Sequence, residues 1–282
     1  MPLSTPTNSS LDSSIMSSSK LNICLVPMKI EWGDKQTNLE ALEKLLPDVH
    51  PATDLVILPE LFSTGFITSM PKDELRKYAE RNTGATIDRI KLLSDKYGVA
   101  IAGSFIADSG GLLFNRAFFI EPSGEECFAD KRHLFSMARE NDSFNPGNSR
   151  LSVRYRGWNI AMVVCYDIRF PVWCRNRDNE YDLLIAVANW PAVRIDAWNK
   201  LLQARAIENL SYVAGVNCMG TDNNGFEYDG SSHILDFKGN GIAYVDSDKG
   251  FLYASLSKEK LDKFRSKFPA HNDADLFEIL DK

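Results

Sequence analysis

The chain has 282 residues, 44% hydrophobic and 25% charged, with a formal net charge of −6, the balance of an ordinary globular enzyme. The acidic balance, with no lysine and arginine stripe to offset it, argues against a nucleic-acid surface. No apolar run approaches the ~18 residues of a membrane-spanning helix, and no internal linker divides the chain, so one domain is expected and no membrane partner.

Residues 1–20 are serine-rich and lack the basic and apolar regions of a signal peptide. They read as a disordered extension, or as an over-extended start with the true one near Met16, and the folded domain as residues 21–282. Leu21 to Pro27 reads as a strand. A helix from Thr37 follows, with Thr37 and Glu40 as a capping box ahead of Leu39, Leu42, Leu45 and Leu46. Leu55-Val-Ile-Leu-Pro-Glu60 carries an apolar strand into a carboxylate. Ile87, Ile90, Leu93 and Tyr97 have helical spacing, closed by Gly98, and Val99 to Ile106 is again a strand.

Leu113 to Ile120 and Glu125 to Ala129 form a hairpin through Pro122-Ser-Gly124, after which the chain reads as irregular. Trp158 to Val164 and Asp182 to Ala188 are nearly continuous apolar runs, which predicts strands covered on both faces. A helix is expected over Asp196 to Asn209 and a strand over Ser211 to Cys218. Ser231 to Leu256 looks like a meander, and a last helix begins near Lys258. This alternation is that of an α/β architecture.

Three strand-to-loop transitions bring reactive side chains to the ends of strands: Glu60, then Lys131 in Asp130-Lys131-Arg-His-Leu, then Cys165 in Ala161-Met-Val-Val-Cys165-Tyr-Asp-Ile-Arg-Phe-Pro. Taken singly, each has an ordinary reading: a small packed cysteine, a solvated turn glutamate, a surface lysine. Taken together, in this order and inside these motifs, they resemble the nitrilase superfamily of carbon–nitrogen hydrolases. The likeness runs from about Leu21 to about Leu280. Leu58-Pro-Glu60-Leu-Phe-Ser-Thr-Gly-Phe66, Tyr166-Asp-Ile-Arg-Phe-Pro171, Ala188-Asn-Trp-Pro191 and Ala204-Arg-Ala-Ile-Glu-Asn209 are most similar to its omega-amidase (2-oxoglutaramate amidase) branch.

The resemblance implies an α-β-β-α sandwich of two mixed sheets flanked by helices, assembled as a homodimer or larger homo-oligomer, and a hydrolase without metal or cofactor. It implies Cys165 as nucleophile, Lys131 as the ammonium that favours thiolate and meets the oxyanion, and Glu60 as general base. The apolar run before Glu60, with Phe62 and Phe66 after it, predicts the burial such a base needs. Glu140 stands where a second, assisting glutamate is expected, and the backbone N–H of Tyr166 is the expected oxyanion donor. For the small omega-amide substrate, Arg194 is the candidate fork for a distal carboxylate, with Phe66 and Trp190 as pocket walls.

Alternatives are another amide or N-carbamoyl substrate, a nitrile, or a catalytically silent binding protein. A Cys–His pair through His133 is the internal rival, but a capping or surface His133 is the simpler expectation. Asp167 and Arg169 are expected to form an ion pair under the nucleophile turn. Cys24, Cys127, Cys174 and Cys218 read as packing residues, and five unpaired cysteines without a CxxC point to a reducing, cytoplasmic setting. One departure from the superfamily pattern is Val172, where an acid commonly follows Arg-Phe-Pro.

Overall fold

The computed structural model describes residues 19–68 and 70–280. The serine-rich segment lies outside the described residues except for Ser19 and Lys20, and Lys20 already opens the first strand, opposite Ser257. Fourteen strands are present among the described residues: β1 (Lys20–Leu25), β2 (Leu55–Ile57), β3 (Ala100–Ser109), β4 (Leu112–Ile120), β5 (Glu126–Asp130), β6 (Leu151–Tyr155), β7 (Trp158–Val164), β8 (Leu183–Ala188), β9 (Tyr212–Asn217), β10 (Met219–Thr221), β11 (Glu227–Asp229), β12 (His233–Leu235), β13 (Tyr244–Val245) and β14 (Leu252–Ser257).

They form a seven-stranded sheet in the order β13-β14-β1-β2-β3-β4-β5 and a five-stranded sheet in the order β12-β9-β8-β7-β6, with β10 and β11 as a separate hairpin. Both large sheets are mixed. β1, β2 and β3 run parallel within the first, and β7, β8 and β9 within the second.

The period-two alternation of strand side chains explains how the sheets stack. Leu21, Ile23, Leu25 and Ile57 from the first sheet share one core with Ile160, Met162, Val164, Leu183, Ile185 and Val187 from the second. The alternate residues face outward. Val56, Ile101 and Phe118 pack under helices Lys35–Leu45 and Ala85–Tyr97 through Leu42, Ile87 and Ile90. Ala161, Val163, Leu184 and Ala186 pack under helix Ile195–Asn209 through Trp198, Leu202 and Ala206. The layers are therefore α-β-β-α, and the central strands read as unbroken apolar runs because both of their faces are covered.

Several local expectations need correction. Helix Lys35–Leu45 is capped by Asp34, whose carboxylate accepts from the backbone N–H of Thr37 at 3.0 Å, so Thr37 is a capped residue and not the cap. Glu40 accepts from Gln36 instead of reaching back to the cap. β5 ends one residue later than expected, at Asp130, which makes Lys131 the first residue beyond the strand. The segment expected to be irregular contains β6, joined to β7 through Arg156 and Gly157, whose φ values of 49° and 84° suit a tight two-residue hairpin turn. The expected meander is divided: β12 pairs with β9 in one sheet and β14 with β1 in the other. Gly98 closes its helix in the left-handed conformation at φ 64°, as expected.

Candidate active site

Every reactive residue of the candidate site follows a strand whose end opens into one cleft. β2 hands the chain to Glu60, and Leu61 immediately turns it in the left-handed region at φ 45°. β7 hands it to Cys165, itself at φ 46° and the first residue of a tight turn running to Arg169. A non-glycine residue there is strained by about 1–2 kcal/mol, so the surrounding contacts must hold the cysteine at the strand tip.

Asp167 supplies that hold. Its Oδ2 accepts from the Val164 backbone N–H at 3.1 Å, and its Oδ1 accepts from the His133 backbone N–H at 2.9 Å and meets His133 Nδ1 at 2.8 Å. The Ile168 carbonyl accepts twice from the buried Arg205 guanidinium, at 3.0 and 2.7 Å. The expected Asp167–Arg169 ion pair is not formed. In so tight a turn Asp167 points back under the strand while Arg169 emerges on the cleft side, 4.8 Å over the Trp190 ring. His133 is likewise neither a cap nor a surface residue: its ring stacks on Phe170 at 3.7 Å, and its polar partner is Asp167.

The carboxylates and the ammonium converge out of water. Lys131 Nζ donates to Glu60 Oε1 at 2.9 Å and to Glu140 Oε1 at 3.0 Å, and all three side chains are buried. Glu140 Oε2 accepts from the Phe135 N–H at 2.6 Å. Glu60 Oε2 accepts from the Asn189 N–H at 2.9 Å, and Glu60 Oε1 also accepts from Asn115 Nδ2 at 2.7 Å. Burial works against the ammonium, but Glu140 and Glu60 outweigh it, so Lys131 is held above the ordinary lysine range and stays charged. Burial, reinforced by the charge of Glu60 and partly offset by Lys131, raises Glu140.

The same competition decides the state of the sulfur. Burial and the neighbouring Glu60 carboxylate push the Cys165 thiol well above its ordinary value, with Lys131 pulling the other way. The net direction favours the thiol form, and Glu60 stands beside the sulfur as the group expected to take its proton. Lys131 acts in the expected direction but is already shared between two acids.

The cleft measures about 620 Å³ and is lined by Glu60, Lys131 and Cys165, with Phe66, Phe135, Tyr166, Trp190, Phe226 and Tyr228 as walls. Lys131 Nζ lies 5.7 Å over the Phe66 ring. Trp190 is both wall and core: its Nε1 donates to the Arg194 carbonyl, and its ring packs 5.4 Å from Trp198. Arg194 lines the cleft half-buried, 5.4 Å over Phe135. Arg169 joins it there, so two guanidinium groups without a carboxylate partner among the described residues line the cavity. Asp222, also at the rim, is committed to its own turn, accepting from the N–H groups of Asn224 and Phe226 and from the Tyr228 hydroxyl. Among the described residues, no group of three or more His, Cys, Asp or Glu side chains is placed to hold a metal ion.

Sequence reasoning missed Asn115, Asn189 and Arg169. Asn189 had a signal, a polar residue closing the apolar strand β8 inside Ala188-Asn-Trp-Pro191. Asn115 had only its polarity within an apolar strand.

Known proteins carry the same arrangement of chain. The omega-amidase YafV of Yersinia enterocolitica is 40% identical over 263 residues, which cover 93% of this chain and 100% of that protein. The 2-oxoglutaramate amidase of Bacillus subtilis (strain 168) is 28% identical over 257 residues, covering 90% and 97%. The crystal structure of XC1258 from Xanthomonas campestris, a CN-hydrolase superfamily protein with an arsenic adduct in the active site, superposes with a TM-score of 0.86 at 38% identity, covering 92% of this chain and 99% of that one. The sequence profile of the carbon–nitrogen hydrolases matches residues 22–266. With that match spanning both sheets and all three strand-end residues, the chain belongs to the carbon–nitrogen hydrolase family.

Proposed function

We propose that the protein is an omega-amidase, hydrolysing the terminal amide of small dicarboxylate monoamides such as 2-oxoglutaramate or 2-oxosuccinamate. The observation that carries the chemistry is the buried ammonium of Lys131 between Glu60 and Glu140, beside a strained thiol. The similarity to proteins named omega-amidase and 2-oxoglutaramate amidase supports the substrate class.

In this reading Glu60 takes the Cys165 proton as sulfur attacks the amide carbon. The oxyanion is met by Lys131 Nζ and the backbone N–H of Tyr166, contacts of a kind whose loss typically costs ~10²-fold or more in turnover. Glu60 returns the proton to the departing nitrogen, releasing ammonia and leaving a thioester on Cys165. A water, deprotonated by Glu60, then opens the thioester to the dicarboxylate and restores the thiol. Glu140 anchors Lys131 throughout.

A raised thiol suits this scheme, because the proton leaves only as the bond to carbon forms. The two guanidinium groups that line the cleft, Arg169 and Arg194, give the distal carboxylate its anchor.

The test is ammonia release across a panel of 2-oxoglutaramate, 2-oxosuccinamate, glutamine, propionamide, an N-carbamoyl amino acid and a nitrile. Intact mass after brief mixing is read alongside it. The reading requires preference for the oxo-acid amides and an acyl adduct on Cys165. Faster turnover of the uncharged amide or of the nitrile refutes it.

A further inference from the structure

Asn115 lies in β4 and is wholly buried, yet it touches three of the groups assembled above. Its carbonyl accepts from the Lys131 backbone N–H at 2.9 Å, continuing the register in which Arg116 faces Asp130. Its Nδ2 donates to Glu60 Oε1 at 2.7 Å and reaches Glu140 Oε1 at 3.4 Å. Its Oδ1 is buried and has no hydrogen-bond partner among the described residues. A buried oxygen without a partner is costly and calls for an explanation. The donor end of the carboxamide supplies one.

Two buried carboxylates repel each other, and the single ammonium of Lys131 neutralises only one of them. The remaining negative charge is spread over neutral donors: Asn115 Nδ2, the Asn189 N–H and the Phe135 N–H. Of these, only Asn115 reaches both acids. Cys165, Cys218 and Tyr228 are the other titratable groups electrostatically linked to this cluster, and Arg169, Arg194 and Asp222 are the further charged groups lining the cleft.

We propose that Asn115 is a positioning residue of the hydrolytic site, its carboxamide drawing the Glu60 and Glu140 carboxylates together around Lys131 and keeping Glu60 open to the Cys165 proton. This rests on the roles assigned above to Glu60, Lys131 and Cys165. An isosteric aspartate would present an acceptor to two acids, and the cluster would then take up a proton at higher pH.

The experiment compares wild type, Asn115→Ala, Asn115→Ser and Asn115→Asp, following ammonia release from 2-oxoglutaramate and alkylation of Cys165 by iodoacetamide over about pH 5.5 to 9.5. For Asn115→Ala and Asn115→Ser, kcat per alkylatable site is expected to fall ~10- to 100-fold with KM within about twofold. For Asn115→Asp the loss is larger, and the acid limbs of kcat and of alkylation both move to higher pH. Folded variants with the wild-type kcat and acid limb would overturn the proposal. So would a loss of activity that only tracks the loss of folded protein. If Asn115→Asp fails to fold, the kcat-against-KM split of the other two variants decides. A wild type that leaves 2-oxoglutaramate untouched would refute the substrate reading alone, because alkylation still reports on Asn115.

Discussion

Asn189 grips Glu60 twice: its backbone N–H donates to Glu60 Oε2 at 2.9 Å, and its side-chain Nδ2 donates to the Glu60 carbonyl at 3.0 Å. Glu60 follows a strand of the seven-stranded sheet and Asn189 a strand of the five-stranded one, so the two layers are joined at the proposed base. Asn189→Ala keeps the first bond and removes the second. Loss of one buried hydrogen bond predicts about 1–2 kcal/mol less stability, and the freed Glu60 backbone predicts a kcat lower by ~10-fold. Urea unfolding and ammonia release measure the two effects, and a variant with wild-type kcat would show that the joint is only structural.

Cys165 combines chemistry with strain, and two substitutions separate them. Cys165→Ala and Cys165→Gly both remove the nucleophile, so both are expected to be inactive and to form no acyl adduct. Only glycine relieves the left-handed backbone at φ 46°. Cys165→Gly should therefore exceed Cys165→Ala in stability by about 1 kcal/mol. Measurable turnover by either variant would rule out a thioester route.

What could be read from the sequence follows from how local its cause is. β7 and β8 were legible because burial on both faces leaves an apolar run, and Glu60, Lys131 and Cys165 because each interrupts or follows a strand within a distinctive motif. β6 did carry a signal, Leu151, Val153 and Tyr155 alternating with Ser152 and Arg154, but five residues beside a long loop are easily passed over. Asn115 was not legible. Its meaning depends on lying opposite Lys131 in the ladder and on acids 55 and 25 residues away along the chain. How far Lys131 can act on the Cys165 thiol was not legible for a related reason: the sequence offers one ammonium near the sulfur, whereas the structure shares that ammonium between two acids.

The three buried thiols of Cys24, Cys174 and Cys218, with the partly buried Cys165, predict a loss of stability in alkali. Burial pushes Cys24 and Cys174 up to about 12, and Cys165 and Cys218 well above their ordinary value. In the unfolded chain a thiol titrates near ~8.5. The folded state thus prefers the protonated form, and this contribution is fully present below about pH 8.5 and shrinks as pH rises toward the folded values. The urea midpoint, measured under reducing conditions, should be level near neutrality and fall from about pH 9 upward. Cys174→Ala should flatten that fall, and parallel slopes in wild type and variant would remove burial of this thiol as a cause.

The two guanidinium groups are separable by substitution. Arg169 leaves the same turn as Cys165 and lies 4.8 Å over the Trp190 ring, whereas Arg194 lies 5.4 Å over the Phe135 ring. Arg169→Met preserves length and contact with the indole while removing the charge. A charge-assisted fork to a carboxylate contributes enough that its loss should raise KM for 2-oxoglutaramate by ~10- to 100-fold. KM for propionamide, which has no distal carboxylate, should stay unchanged. Arg194→Met tests the second group without disturbing the wall, because the bond from Trp190 Nε1 runs to the Arg194 backbone carbonyl and survives the substitution. Raised salt should weaken the wild type toward the Arg169→Met value for the anionic amide only. If both variants keep the wild-type ratio of KM values for the charged and uncharged amides, neither arginine holds the carboxylate and the dicarboxylate reading loses its structural support.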